Sequence, residues 1–233
     1  MMIMAMNLNS RNRRDILRWA FWSILILLVL IFLVRVLTFE NSYYSEKDGS
    51  ERSVVESTNE VEDELIEVAP TEVEVTEYTV AADRPRYLTV PRLGVNTARI
   101  LPMGINQKGE LDTPNNIFDV GWYESSGRPG YGGTVMIDGH NGGPHVHGVF
   151  KQLPILQKGD LIEITRGDGK VFKYEVVENK EVALADADEY MITAAKSPVS
   201  GRESVTLITC TGEWSDKQGT YLSRQFTRAI LVE

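Results

Sequence analysis

Hydrophobic and polar residues alternate over short stretches in the part of the chain that follows residue 80. These stretches are rich in β-branched and aromatic residues and are bounded by turn-forming residues, a pattern typical of β-strands. The segment from Arg166 to Lys170 contains an Asp-Gly pair and predicts a hairpin turn. Short helices are expected at 149–156 and 188–196. The predicted strands are 87–90, 98–103, 133–138, 160–165, 171–177, 204–210 and 225–232.

This strand pattern predicts an all-β fold for residues 81–233, in the form of a closed or nearly closed β-barrel with one or two short helices. The segment is long enough to bury one hydrophobic core. No sequence period of about 20–50 residues recurs, which excludes solenoids and propellers.

A long apolar segment precedes this domain. Residues 19–34 carry no charge and are flanked by Arg18 and Arg35. Residues 18–39 are long enough to cross a hydrocarbon core of about 30 Å, and they exceed the apolar region of a usual signal peptide, with no A-x-A-like cleavage site after them. We therefore predict a single transmembrane helix at 18–39. The basic residues before it (Arg11, Arg13, Arg14 and Arg18) and the acidic residues after it (Glu40, Glu46 and Asp48) predict that residues 1–17 are cytoplasmic and that the rest of the chain is extracellular.

Negative charge is concentrated immediately after the predicted membrane helix. Residues 40–80 contain 13 acidic residues against Lys47 and Arg52, and the whole chain has a net charge of −9. Such a composition buries too little apolar surface to offset the entropy of ordering, so we expect residues 40–80 to form an acidic, disordered stalk. The domain that follows is nearly balanced in charge and has no basic stripe, which argues against nucleic-acid binding.

The chain has one cysteine, Cys210, at the end of the predicted strand 204–210. A single cysteine in an exported protein is an inert buried residue, half of an intermolecular disulfide, or a reactive nucleophile. His140 follows another strand in a glycine-rich turn, and Arg224 precedes the strand 225–232 after a predicted loop at 211–223. Strand ends can meet at one rim of a barrel. Near an imidazolium the pKa of a thiol falls, and a guanidinium there can stabilise an oxyanion.

Other interpretations of these residues remain open at this point. His140, His145 and His147 resemble the three histidine ligands of a zinc hydrolase, although no H-E-x-x-H motif is present. The domain could also be a non-enzymatic surface β-domain.

Arg228 is an alternative to Arg224 as the functional arginine, since both face the same side of a regular strand. We interpret Arg228 as a solvated edge charge.

The sequence resembles the sortases, membrane-anchored cysteine transpeptidases of bacteria. The resemblance covers residues 86–233 and depends on the pentapeptide 206–210, which fits the family signature T-L-x-T-C, on Gly139-His140, and on Arg224 with its following strand. It implies an eight-stranded β-barrel, with Cys210 as nucleophile, His140 as general acid and base, and Arg224 as the residue that stabilises the oxyanion. We also predict that Thr209 and Leu207 bind substrate.

By the same resemblance, the substrates are exported proteins with a C-terminal sorting signal similar to L-P-x-T-G. The acyl group then passes to an amine of a cell-wall precursor or of a pilin lysine. No cofactor is expected. Calcium is used by some sortases, but Glu110, Asp112, Asp119 and Glu124 are not spaced as a binding loop. The segments around Trp122 and Gly130 favour a housekeeping-type or actinobacterial-type sortase over the haem-uptake class.

Overall fold

The computed structural model describes residues 65–106, 109 and 111–233. Within these ranges no helix has the length and apolar character needed to cross a membrane. The predicted membrane helix at 18–39 and the first part of the predicted stalk, 40–64, lie outside the described residues.

Eight strands form the fold, with two α-helices and two short 3-10 helices in the described part of the chain. The helices are α1 (Glu72–Glu77) and α2 (Leu184–Ala194), and the 3-10 helices are Pro91–Leu93 and Leu153–Ile155. The strands are β1 (Pro85–Val90), β2 (Val95–Met103), β3 (Val120–Tyr123), β4 (Thr134–Gly139), β5 (Leu161–Arg166), β6 (Val171–Ala183), β7 (Ser204–Ser215) and β8 (Thr220–Leu231).

The strands close into a barrel in the order β1-β2-β3-β4-β7-β8-β6-β5. Most neighbours are antiparallel, but β2 pairs with β3 and β4 pairs with β7 in parallel. The parallel β4–β7 pair brings together segments about 70 residues apart in sequence, between Thr134↔Ser204 and Asp138↔Ile208. Closure leaves no free sheet edge among the eight strands that the structure describes. It confirms the closed barrel predicted from the strand pattern and the eight strands implied by the resemblance.

Alternation along the strands divides the apolar residues between the two faces of the barrel wall. On β7, Val205 and Leu207 are fully buried in the interior core, together with Trp122 and Tyr174. The next residue on β7, Ile208, points outward. It belongs to a second cluster with Met136, Val182, Ala194 and Phe226, which α2 covers on the outer surface.

The sequence located most strands correctly but missed several boundaries. β3 was not predicted, because four residues show too little alternation. The predicted helix at 149–156 is only the 3-10 turn Leu153–Ile155, since Pro154 lacks an N–H, and α2 begins four residues earlier than predicted. The predicted loop at 211–223 is mostly the β7–β8 hairpin, with Trp214 paired to Tyr221.

The last part of the predicted stalk contacts the barrel. Residues 72–77 form α1, which begins with a capping box between Thr71 and Glu74. The Tyr78 hydroxyl donates to the carbonyl oxygen of Ile100 at 2.5 Å, and Arg86 Nε donates to the Tyr78 carbonyl oxygen at 2.7 Å. Residues 65–80 are therefore ordered structure, which corrects the predicted disorder of this part of the stalk.

Arg228 is not the solvated edge charge predicted from the sequence. Only 6% of the residue is exposed, and its Nη1 lies 2.5 Å from Glu178 Oε2. Nη2 donates to the carbonyl oxygens of Thr193 and Lys196, at the C-terminal end of α2, where a positive charge also complements the helix dipole. Arg228 thus attaches α2 to the barrel wall.

We expect Arg228→Ala to lower the free energy of unfolding by about 3 kcal/mol, because it removes the buried half of the ion pair with Glu178 and the hydrogen bonds to the carbonyl oxygens of Thr193 and Lys196. Urea denaturation followed by circular dichroism measures this change. The matched control is Lys173→Ala, which breaks the more exposed pair with Glu233 and should lower the free energy of unfolding far less. Equal effects of the two substitutions would contradict the proposed role of Arg228.

Candidate active site

The parallel β4–β7 pair places His140 beside Cys210. The register ends at Asp138↔Ile208, and two side-chain bonds hold the segments together beyond it. Thr209 Oγ1 donates to the carbonyl oxygen of Gly139 at 2.7 Å, and Asn141 Nδ2 donates to the carbonyl oxygen of Cys210 at 2.6 Å. His140 lies between these two contacts, next in sequence to Gly139 and to Asn141.

The antiparallel β7–β8 pair places Arg224 directly opposite Cys210. Directly paired residues project from the same face of a sheet, so both side chains leave the outer face of the barrel wall, as Ile208 does. The structure therefore brings Cys210, His140 and Arg224 to one place.

Two details of the predicted site are corrected. Cys210 is the seventh residue of β7 and Arg224 the fifth of β8, so neither lies at a strand end. A bulge follows Cys210, where the register shifts between Thr211 and Trp214. Gly212 occupies the bulge with φ of 83°, and a Cβ there would lie 2.9 Å from Ser223 Oγ. Gly212 and Glu213 interrupt the hydrophobic alternation, which explains why the sequence predicted a loop.

His140 is held by the loop that precedes β3. Its Nε2 lies 2.8 Å from the carbonyl oxygen of Pro114. A carbonyl oxygen can only accept, so Nε2 carries the hydrogen and Nδ1 of the neutral ring is left as an acceptor. Burial lowers the pKa of His140, and the bond to Pro114 opposes this shift.

The Cys210 thiol is free and half-buried. Burial raises the pKa of the thiol, the positive charge of Arg224 lowers it, and the negative charge of Asp138 raises it further. The net shift is upward. Together with the lowered pKa of His140, it makes the uncharged thiol and uncharged imidazole the main forms at neutral pH, with thiolate and imidazolium as a minor population.

The Arg224 guanidinium is oriented by the β7–β8 hairpin. Nη1 donates to the carbonyl oxygens of Tyr221 and Ser223 at 3.0 and 3.1 Å, and Nη2 donates to Thr220 Oγ1 at 3.3 Å. A guanidinium has five N–H donors, so these three bonds leave capacity for a carbonyl oxygen of a bound peptide. A thiol, an imidazole and such a guanidinium on one face are the groups needed for acyl transfer.

The two predicted substrate-binding residues have structural roles. The Leu207 side chain is fully buried in the interior core, on the face opposite to Cys210. Thr209 is 3% exposed, and its hydroxyl bonds Gly139 and so aligns the ends of β4 and β7. Neither side chain offers a surface that a substrate can contact, which corrects that prediction.

His145 and His147 lie exposed in the loop after His140. Glu67 Oε1 accepts the backbone N–H groups of His145 at 2.9 Å and Val146 at 3.2 Å, so residue 67 holds this loop. Within the described residues, no group of three or more histidine, cysteine, aspartate or glutamate side chains could hold a metal ion. The structure gives the three-histidine zinc site no support.

Sequence reasoning missed two residues that position the site. Asn141 directly follows His140 and bonds the Cys210 carbonyl oxygen, and Pro114 contributes only its backbone. The position of Asn141 directly after His140 is a feature of the sequence that could have indicated its role. No such feature marks Pro114, since every residue has a backbone carbonyl group.

The family model described as the sortase domain matches residues 88–232. The chain therefore belongs to the sortase family, and it is a cysteine transpeptidase that acts on sorting signals. Among curated proteins no match was found.

Solved sortase structures are also similar to this chain. The sortase D5 transpeptidase of Clostridium perfringens is 24% identical, with 70% of this chain and 90% of that chain covered and a TM-score of 0.46. The sortase C2 of pilus island 1 of Group B Streptococcus is 20% identical, with 67% and 77% covered and a TM-score of 0.46. The SrtA sortase of Actinomyces oris is 19% identical, with 66% and 88% covered and a TM-score of 0.46.

We expect Asn141→Ala to impair both stability and activity, because Asn141 is 6% exposed and its amide holds the Cys210 carbonyl oxygen. Loss of this bond should lower the free energy of unfolding by about 1–3 kcal/mol. Displacement of the adjacent His140 should slow cleavage of a sorting-signal peptide at least about tenfold. Denaturation and peptide cleavage measure the two effects. Asn96→Ala, at an exposed position, is the control and should change neither.

Proposed function

We propose that Cys210 is the nucleophile of the transpeptidase, with His140 as general acid and base and Arg224 as the group that stabilises the oxyanion. The observation that supports this assignment most strongly is the pairing of β7 with both neighbours. Arg224 is paired with Cys210 across β7 and β8, and His140 follows the end of β4, where Thr209 and Asn141 keep the two segments bonded to each other.

The first step forms a thioester. The Cys210 thiolate attacks the carbonyl carbon of the scissile peptide bond, and the oxyanion accepts hydrogen bonds from the Arg224 guanidinium. The bond to nitrogen then breaks, and the departing amine takes a proton from the His140 imidazolium at Nδ1. Cys210 is left acylated, and His140 is left neutral.

The second step reverses this proton transfer. An incoming amine attacks the thioester carbonyl carbon and gives a proton to His140, and the Cys210 thiolate leaves as the new amide forms. The buried surroundings of the thiol and imidazole disfavour their charged forms in the free enzyme. A bound peptide that brings its carbonyl group toward Arg224 therefore meets only a small thiolate population.

The substrate that fits this chemistry is a C-terminal sorting signal similar to L-P-x-T-G, cleaved between Thr and Gly. The acceptor is an amine of a cell-wall precursor or of a pilin lysine, and we retain the prediction of a housekeeping-type or actinobacterial-type enzyme. The proposed steps exchange one acyl group between sulfur and nitrogen. They require no redox cofactor, and we propose that the enzyme uses none.

Replacement of Cys210 tests the proposal. Cys210→Ala should abolish thioester formation with a sorting-signal peptide and leave the unfolding transition intact. Arg224→Lys should slow acylation by about 10² to 10³, since an ammonium cannot reproduce the donors of a guanidinium. Acylation is measured by mass spectrometry of the intact protein.

The matched control for Arg224→Lys is Arg202→Lys, on an exposed residue that bonds the Leu231 carbonyl oxygen, which should acylate at the wild-type rate. Transpeptidation by Cys210→Ala would refute the nucleophile. Wild-type acylation by Arg224→Lys would refute the oxyanion contact while leaving the nucleophile in place.

We further propose that residues 18–39 anchor the enzyme in the cell membrane with the catalytic domain outside. The support is the uncharged apolar segment with its basic N-terminal flank. Sorting-signal substrates are exported proteins, so an enzyme that acts on them meets them outside the membrane.

Protease added to wall-stripped cells should remove the domain after residue 39 and leave a short membrane-bound fragment. Immunoblotting against tags at both termini follows this. The N-terminal tag should remain protected in intact cells and become accessible after permeabilisation. Protection of the C-terminal tag in intact cells would contradict the proposed topology.

A further inference from the structure

Asp138 lies on the same face of the barrel wall as the reactive groups. Its partner on β7 is Ile208, two residues before Cys210, so the two side chains project from the same side. Diagonal neighbours of this kind have Cα atoms about 7–8 Å apart. Asp138 is also two residues before His140 on its own strand.

The carboxyl group of Asp138 is fixed by two neighbours. Thr113 Oγ1 donates to Asp138 Oδ2 at 2.5 Å, and Gly121 on β3 lies against the other oxygen. A Cβ at residue 121 would be 2.5 Å from Asp138 Oδ1, so only glycine leaves room for the carboxyl group there. Thr113 and Gly121 together therefore accommodate the Asp138 carboxyl group in one orientation.

Burial raises the pKa of Asp138 to about 7, the bond from Thr113 opposes this shift, and Asp112 adds to it. The charge of Asp112, in the loop before β3, acts on the carboxyl, and the carboxyl in turn acts on Cys210 on β7; His140 follows two residues later in the chain. Ionised Asp138 disfavours the Cys210 thiolate, whereas Arg224 favours it.

We propose that Asp138 is a positioning residue whose charge controls how readily Cys210 ionises. The carboxyl is neutral at acidic pH and leaves the thiolate unopposed. As the pH rises through about 7, Asp138 becomes negative and opposes thiolate formation. Two charges at about 8 Å in a partly buried site change an ionisation equilibrium by about three- to tenfold.

The test compares alkylation of the wild-type chain and Asp138→Asn by iodoacetamide, a neutral reagent, between pH 5.5 and 8.5. The full chain is used in detergent, and Cys210 is its only cysteine, so the rate reports one thiol. The ratio of the variant rate to the wild-type rate should be about one at pH 5.5 and rise through pH 7 to about three- to tenfold. A ratio that does not change with pH would overturn the proposal, because a purely structural effect of asparagine acts at every pH.

Two further variants sharpen this test. Glu163→Gln removes a carboxylate from β5, which is distant from β4 and β7 in the barrel order, and its ratio should stay near one throughout. Thr113→Val keeps the Asp138 carboxyl but removes the hydroxyl that donates to it. Because this bond lowers the pKa of Asp138, the pH at which ionised Asp138 begins to slow alkylation should rise in the variant. If Asp138→Asn does not fold, an alkylation profile of Thr113→Val with the same pH dependence as the wild type overturns the proposal.

The consequence for catalysis rests on the proposed role of Cys210, and the two hypotheses fail separately. If alkylated protein still transfers a sorting-signal peptide, Cys210 is not the nucleophile, yet the alkylation ratio still decides whether Asp138 controls the thiol. If alkylation blocks transfer and the ratio is flat, the nucleophile stands and the role of Asp138 is refuted.

Discussion

The parallel pairing of β4 with β7 is the constraint on which the site depends. It is fixed at its beginning by the contact of 2.9 Å between the hydroxyl groups of Thr134 and Ser204. At its end, the Thr209 hydroxyl and the Asn141 amide hold the two segments side by side. A slip of one residue would reverse the faces of every side chain on one strand. It would then separate His140 from Cys210.

The same barrel wall serves two purposes. Its inner face supplies the core around Trp122 and Leu207, and its outer face carries Cys210 with the cluster under α2. On β7, Val205 and Leu207 therefore contribute to the interior core, whereas Cys210 faces outward. Arg228 shows the division on β8, since it faces outward like Arg224 but is used to attach α2.

Partial burial determines which ionisation states of Cys210 and His140 prevail. Desolvation disfavours the charged forms of both Cys210 and His140, and the positive charge of Arg224 favours the thiolate. The free site therefore holds a mostly neutral pair whose reactivity depends on a few fixed charges. In such surroundings, the effect that we propose for the Asp138 charge on thiol ionisation is larger than it would be in water.

The sequence alone determined the all-β class and a closed or nearly closed barrel, because alternation is a local feature, and the T-L-x-T-C and Gly-His motifs indicated the sortase family. It did not reveal β3, the β7–β8 hairpin, the buried ion pair of Arg228 or the interior position of Leu207. Each of these depends on which distant segment lies alongside, and no spacing along the chain encodes that. The contact of His140 with Pro114 is the plainest case: a backbone carbonyl group acquires a role only when the fold places it within 2.8 Å of an imidazole.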